Sequence, residues 1–433
     1  MSTAFNTYLS YPLRALRSLI LHSASFVFGI SDVYVYSKKI HSYVPPSTYI
    51  ERQKLFIKFV ELELMRVHGS NIRIKDFDLG NQAVCNIVDH HDILNHPLFL
   101  SPNIVGNLSR FFEISKKSKA IISITDSGLS VSHFGNRRSL KFKDTHLRLF
   151  THKMRNINIY SSPTHNTFNL GRQIRKYTKN KKEAIFIDTI EEILHKYAEK
   201  PHINSYIDQV SLTNRYLWKK LFDEKIRSNV PELFQIPGES IATSLLATYL
   251  EQPNHIFSKI LFDEDTRNLV VKLFSGIDGC WHPNLEHGTH FFWAIDAVQK
   301  AQRLRIEGNN LVSLDESIRI PLTKENILNS LKHKKIYPNL FLVYSVLIFY
   351  CGIKPLVGGR SRECISLMKE QWQKIVLPEE AAFIKRIETD NLVQVGTFYK
   401  YALDIIYEGG LGLKDIKKLE ARRKAQVWMS QKL

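Results

Sequence analysis

The stretch VCNIVDHHDILNHPLFLSPNIVGNL, residues 84–108, decides how the chain is read. It starts as a short apolar run, breaks into a loop holding three histidines and two aspartates, and resumes at Pro97 as an apolar segment. That order predicts strand, polar loop and helix entry. Asp89, His90, His91, Asp92, Asn95 and His96 would then lie beyond the carboxyl end of a strand, where open α/β sheets place their ligands.

Working outward, AIISITDSG at residues 120–128 reads as a second buried strand ending in a polar turn, with Asp126 and Ser127 at the same sheet edge as the histidines. AIFIDT at 184–189 reads as a third strand, followed by a helix from Ile190. The alternation of strand and helix predicts an α/β fold with a doubly wound, Rossmann-like parallel sheet as its core. Residues 52–68 carry apolar positions at helical spacing, with Gly69 as a stop. The region 190–275 is mostly helical in pattern, broken at Ile236-Pro237-Gly238. Residues 281–320 change character and predict two or three antiparallel strands. A helix over 322–333 capped by Thr323, a turn at Tyr337-Pro338-Asn339, a buried apolar run from Leu340, and a basic amphipathic helix over 413–433 complete the chain.

The predicted organisation is an N-terminal helical segment (1–74) and the first part of the Rossmann-like core (75–190), then a helical insertion (191–280). A small antiparallel β-hairpin unit with a helix (281–334) follows, and the second part of the core ends in the basic helix (335–433).

With 433 residues, 44% of them hydrophobic, the chain can bury a substantial core. Sixty Lys and Arg against 42 Asp and Glu leave a net charge of +18, which favours anionic partners. Cys85, Cys280, Cys351 and Cys364 show no CxxC pairing, so neither a disulfide framework nor a zinc knuckle is expected, and a reducing, cytoplasmic compartment fits. The apolar run over 340–353 falls short of the roughly 20 residues a membrane span requires. The stretch 16–30 follows two arginines but lacks a clean cleavage site, and reads as a helix of the fold.

His90, His91 and His96 do not have the spacing of a zinc site, and neither does the cluster of Cys280, His282, His287 and His290, so no metal is expected there. An anion site is the better use of the loop, because helix-start N–H groups and imidazoles both supply donors. Gly358-Gly359-Arg360-Ser361-Arg362 offers a second anion-binding turn, with two guanidinium groups on a glycine-permitted backbone.

DHHDILNHPL at 89–98 resembles the GQQxGLxTGPLY segment of the bacillithiol synthase family, with Leu94 and Pro97-Leu98 in matching positions. Further on, three features are similar to that family's elements in the family's order. They are the strand-like THFFW at 289–293 with Arg303-Leu304, the helix at 323–331 with Pro338-Asn339, and Gly358-Gly359 with Glu363 and Leu367-Met368-Lys369. The family's GQQ is Asp89-His90-His91 here, and Ile365 stands near the position of its tyrosine. The resemblance covers about half the chain in three blocks. It implies a Rossmann-like core with helical insertions, a homodimer, and an enzyme that joins the carboxyl group of an amino acid to an amine on an anionic substrate.

From the residues and the resemblance together, the expected chemistry is condensation or group transfer on an anionic small molecule, by a ligase or transferase. His90 or His91 would act as general acid or base with Asp89 orienting the imidazole. Asn95, His96, Asn103, Asp126, Ser127, Gly358, Gly359, Arg360, Arg362 and Glu363 would bind substrate. No cofactor is singled out, although a nucleotide is compatible with such a site. The competing function is a nucleic-acid or polyanion binder without catalysis, resting on the charge. It is weaker because the basic residues lack the aromatic interleaving of a single-strand platform.

Overall fold

A computed structural model describes residues 49–69, 84–85, 91–97, 100, 103–104, 120–128, 139–148, 157–164, 180–198, 203–228, 230–356, 359–389, 400–412 and 415. In chain order the elements begin with helix α1 (Ile50–His68) and strands β1 (Val84–Cys85), β2 (Ala120–Thr125), β3 (Ser139–Phe142) and β4 (Thr145–Arg148). Helices α2 (Lys181–Ala198), α3 (Tyr206–Lys220) and α4 (Glu224–Arg227) lead to strand β5 (Glu232–Pro237), which runs directly into α5 (Gly238–Tyr249). Then come α6 (Ile256–Phe262), α7 (Glu264–Phe274), strands β6 (Phe292–Ile295), β7 (Ala301–Glu307), β8 (Asn310–Ser313) and β9 (Arg319–Pro321), α8 (Lys324–Lys332) and β10 (Ile336–Pro338). Helix α9 (Leu340–Tyr344) widens into a π-turn over Ser345–Tyr350, and β11 (Lys354–Pro355), α10 (Gly359–Trp372), α11 (Pro378–Arg386) and α12 (Ala402–Tyr407) follow.

The predicted Rossmann-like parallel core is not what forms. The largest sheet is antiparallel, five strands in the order β10-β6-β7-β8-β9, and parallel pairing among the described residues is confined to two two-stranded pieces, β1 with β11 and β2 with β5, and the single bridges Phe222–Leu411 and Ser275–Trp281. Two misread segments account for the difference. Residues 184–189 lie inside helix α2: Glu183, Ile187 and Ile190 are buried while Ile185 is 57% exposed, a spacing of three and four that only a helix produces. A short apolar run does not distinguish a buried strand from a helix segment. Conversely, Tyr337-Pro338, expected in a turn, forms edge strand β10, where the missing N–H of Pro338 is tolerated, and the "small hairpin unit" gains this fifth strand. Asn339 then caps α9, its side chain accepting from the Leu342 N–H at 3.0 Å.

Other expectations hold. Helix α1 ends at Gly69, and Thr323 caps α8 by accepting from the Asn326 N–H. The apolar run from Leu340 is helical and buried. Among the described residues, no helix is long and apolar enough to cross a membrane. The expected N-terminal segment through residue 48 and the basic C-terminal helix lie outside the described residues, apart from Asp415.

Strands β2 and β5 run parallel in register from Ala120 opposite Glu232 to Thr125 opposite Pro237, and their alternation sorts two chemistries. Ala120, Ile122, Ile124, Phe234 and Ile236 enter the main core with Leu245 and Leu246 of α5 and the buried run of α9. Ile121 and Leu233 point the other way, onto Trp218, Leu221 and Phe222. On that second face the upper half of the pair is polar: Ser123, Thr125 and Gln235 are all buried. Buried polar groups need partners, and α3 together with the histidine loop supplies them. Asn214 of α3 accepts from the Leu94 N–H at 2.7 Å and donates to the Asp92 carbonyl at 2.9 Å and to the Gln235 side chain. Helix α3 is held at the other end of β5 by Glu232, which pairs with Arg215 and Lys219 at 2.7 and 2.6 Å. It is tied to α1 by Arg66, which bridges Glu63 and Asp208.

Candidate functional site

The histidine loop meets β2 as expected, but as a support. His91 is fully buried, and its backbone N–H donates to the Asp126 carbonyl at 2.5 Å. Its Nε2 lies 2.8 Å from the Ile207 carbonyl, which can only accept, so Nε2 carries the proton. Nδ1 then accepts from the Thr125 hydroxyl at 2.6 Å. Both ring nitrogens are thus occupied by protein atoms. Burial pushes the imidazole down from 6.5 to about 4, partly countered by the Ile207 carbonyl, so it is neutral at pH 7. Asp89 and His90 lie outside the described residues.

Several other predicted residues serve as fasteners. Asn95 accepts from the Ala402 N–H through its carbonyl and from the Leu403 N–H through its side chain, joining the loop to α12. His96 meets Tyr401 edge-on at 5.3 Å, and Asn103 is buried. Gly359, Arg360 and Arg362 fall in the first turns of α10 and Glu363 is exposed. Gly358 and the side chains of Arg360 and Arg362 lie outside the described residues.

Asp126 and Ser127 do come together with chemistry, in company that sequence reasoning missed. At the carboxyl ends of β2 and β5, the first turn of α5 brings Glu239 against them. The Ser127 N–H donates to both Glu239 oxygens at 2.9 and 3.0 Å, and the Ser127 hydroxyl donates to Oε2 at 2.6 Å. The Gly128 N–H donates to Asp126 Oδ1 at 2.9 Å. Burial, then the charge of Asp126 and a hydrogen bond with it, push the Glu239 carboxyl well above the usual carboxylate range. The start of a helix favours an ionised acid by only about 0.3–1 kcal/mol, whereas full burial of a charge costs several. Burial thus outweighs the helix start and the Ser127 donors and shifts Glu239 towards its protonated form. The sign for stability follows: this contribution is present at low pH and is lost as pH rises through the elevated value.

Two phenols complete the cluster. The Tyr160 and Tyr337 rings pack 5.0 Å apart, and Asn158 donates to the Gly128 carbonyl at 2.8 Å. The Tyr337 hydroxyl is fully buried and lies near Asn158, yet makes no well-formed hydrogen bond. A Cβ at Gly128 would stand 3.1 Å from both Asp126 Oδ1 and Glu239 Oε1 and 3.7 Å from Tyr337 Cε2, which shows how closely the three side chains converge on that glycine. The signal for Glu239 was present in the sequence: ELFQIP followed by Gly-Glu-Ser repeats the grammar of AIISIT followed by Asp-Ser-Gly, an apolar strand emptying into a small, acidic turn.

Among the described residues no three His, Cys, Asp or Glu side chains are grouped as metal ligands, and Cys280, Cys351 and Cys364 are buried free thiols. Comparison with protein-family models and with curated proteins finds no match.

Proposed function

We propose that the chain is an enzyme of the condensation or group-transfer class, acting on an anionic small molecule at the Asp126–Glu239 pair. The observation that carries this is the buried carboxyl pair at the ends of two parallel strands and the head of a helix, tied together through Ser127, with the Glu239 carboxyl pushed up by burial and by Asp126. Glu239 exchanges its proton as substrate binds, Ser127 links that carboxyl to the backbone, and His91 positions the turn through Thr125 and Asp126. The joining of a carboxyl group to an amine, which the resemblance to bacillithiol synthase implies, is one reaction of this class.

The test is native mass spectrometry of the full chain after incubation with a metabolite extract. Wild-type protein is expected to retain a small anionic ligand. With that ligand as substrate, Glu239→Gln, which keeps the shape but cannot exchange a proton, lowers kcat roughly 10²–10⁴-fold. A wild type that retains nothing, or a folded Glu239→Gln protein with unchanged turnover, sinks the proposal.

A further inference from the structure

Lysines and tyrosines that lie far apart in the sequence meet where α12 runs beside β3. Lys141 Nζ sits 4.7 Å from the centre of the Tyr401 ring, which His96 meets edge-on. Lys143 and Lys182 Nζ sit 4.6 and 5.0 Å from the centre of the Tyr407 ring, with Phe142 and Phe186 packed beside it. The Lys143 N–H donates to Asp404 Oδ1 at 2.7 Å and fixes the end of the strand to the helix. Both tyrosines are half-buried, and Lys143, Lys181 and Lys182 are exposed. Lys143 also pairs with the buried Glu183, and Lys400 with Glu408, while Asp144 is exposed at the hairpin turn. Lys141, Lys181 and Lys182 make no ion pair among the described residues, so two of the three spend their charge on tyrosine rings alone.

Two further observations point to an anionic partner. Lys181 and Lys182 stand in the first turn of α2, the positive end of a helix, where a cation is disfavoured. They are therefore poor choices for stability. The charge of the chain is also gathered here. Residues 137–155, which contain β3 and β4, carry seven Lys and Arg against one acid. Residues 172–182, which end in the first turn of α2, carry six against none, and residues 413–433, which follow α12, carry seven against two. All the rest of the chain has a net charge of only +1.

We infer that this face binds single-stranded nucleic acid, with bases stacked on Tyr401 and Tyr407 and phosphates held by Lys141, Lys143, Lys181 and Lys182. A lysine resting on a ring is weakly held, so a base can displace it and stack while the freed ammonium moves to the adjoining phosphate. A duplex keeps its bases stacked inside and offers this face its phosphates alone. Stacking and phosphate contacts are common to RNA and DNA, so base sequence and sugar matter little. The inference is independent of the function proposed above and uses neither Asp126 nor Glu239.

The experiment adds full-length protein to fluorescein-labelled oligouridine and oligothymidine of about twelve nucleotides and follows anisotropy over a series of KCl concentrations. Saturable, roughly micromolar binding that weakens steeply with salt is expected for both, with a duplex of the same length bound about tenfold more weakly. Tyr401→Leu should weaken binding roughly 5–100-fold and leave the salt slope as it is. Lys181→Gln with Lys182→Gln should flatten the slope of log affinity against log salt by about 0.7 for each lysine. Both lysines are exposed, so this pair tests the face even if loss of the Tyr401 ring unfolds α12, and circular dichroism checks each fold. No saturable binding, a duplex bound as tightly as the single strands, or a folded lysine variant that keeps the wild-type slope overturns the inference. So does equally tight binding to vesicles of equal parts phosphatidylcholine and phosphatidylserine that the same variants weaken, which would make the face a membrane contact.

Discussion

His91→Ala is expected to lower stability by about 3 kcal/mol at pH 7, because it opens a void in the core and removes the ring that joins the Thr125 hydroxyl to the Ile207 carbonyl. The same substitution should flatten the acid limb of the stability curve. An unfolded histidine takes up its proton near 6.5, while the buried ring resists until about 4. Between those values the unfolded chain binds the extra proton. The stability owed to neutral His91 is therefore complete above pH 6.5 and is lost as pH falls towards 4, by about 3 kcal/mol. His255 and His290, each also pushed to about 4 by burial, act in the same direction. Urea unfolding at pH 7 and pH 5 measures both effects. A variant that loses less than about 1 kcal/mol, or one that keeps the wild-type pH slope, would show that the ring is not the strut described.

Gly288→Ala should be more damaging still, at above about 4 kcal/mol. Gly288 has φ +76°, and a Cβ there would stand 2.2 Å from the Cys280 carbonyl oxygen and 2.7 Å from Trp281 Cα, both backbone atoms that cannot swing aside. The bridge between Trp281 and Gly288 would have to open. Trp281 is 1% exposed, with its indole N–H donated to the Val271 carbonyl at 3.0 Å and its ring against Phe291 and Phe341, so the displacement reaches the main core. Gly276→Ala is the internal control. Its φ is +83° but nothing lies within 4 Å of the added methyl, so only the backbone penalty of about 1–2 kcal/mol applies. Thermal and urea unfolding of the two variants side by side decide the matter; similar losses would mean that the loop gives way cheaply.

The sequence was readable where one local signal suffices. Helix α1 with its stop at Gly69, helix α8 with its Thr323 cap, strand β2 and the buried run from Leu340 each follow from periodicity and end signals alone. What failed was the choice between equal local readings. The apolar run at 184–189 fits a strand or a helix, and only its burial at residues 183, 187 and 190 decides for the helix. Strand β5 passed for part of a helical region because its partner β2 is distant in the sequence. The candidate site was half legible for the same reason. Asp126 and Ser127 announce themselves in a polar turn after a strand, but Glu239 acquires meaning only when β5 is laid beside β2. His91 drew notice for its chemistry, and its surroundings show that chemistry spent on holding the fold.

That same β2–β5 ladder sets a schedule for the newborn chain. Ser127 and Glu239, 112 residues apart, cannot meet until both have left the ribosome. At roughly 5–20 residues per second, β2 waits on the order of ten seconds for its partner. During that interval AIISIT is an apolar strand with an unpaired edge, the kind of segment that associates with other chains. Yield in the cell is therefore governed by how well this one strand is shielded during synthesis, and slowing translation between residues 128 and 232 should divert product into aggregates without altering any contact of the finished protein.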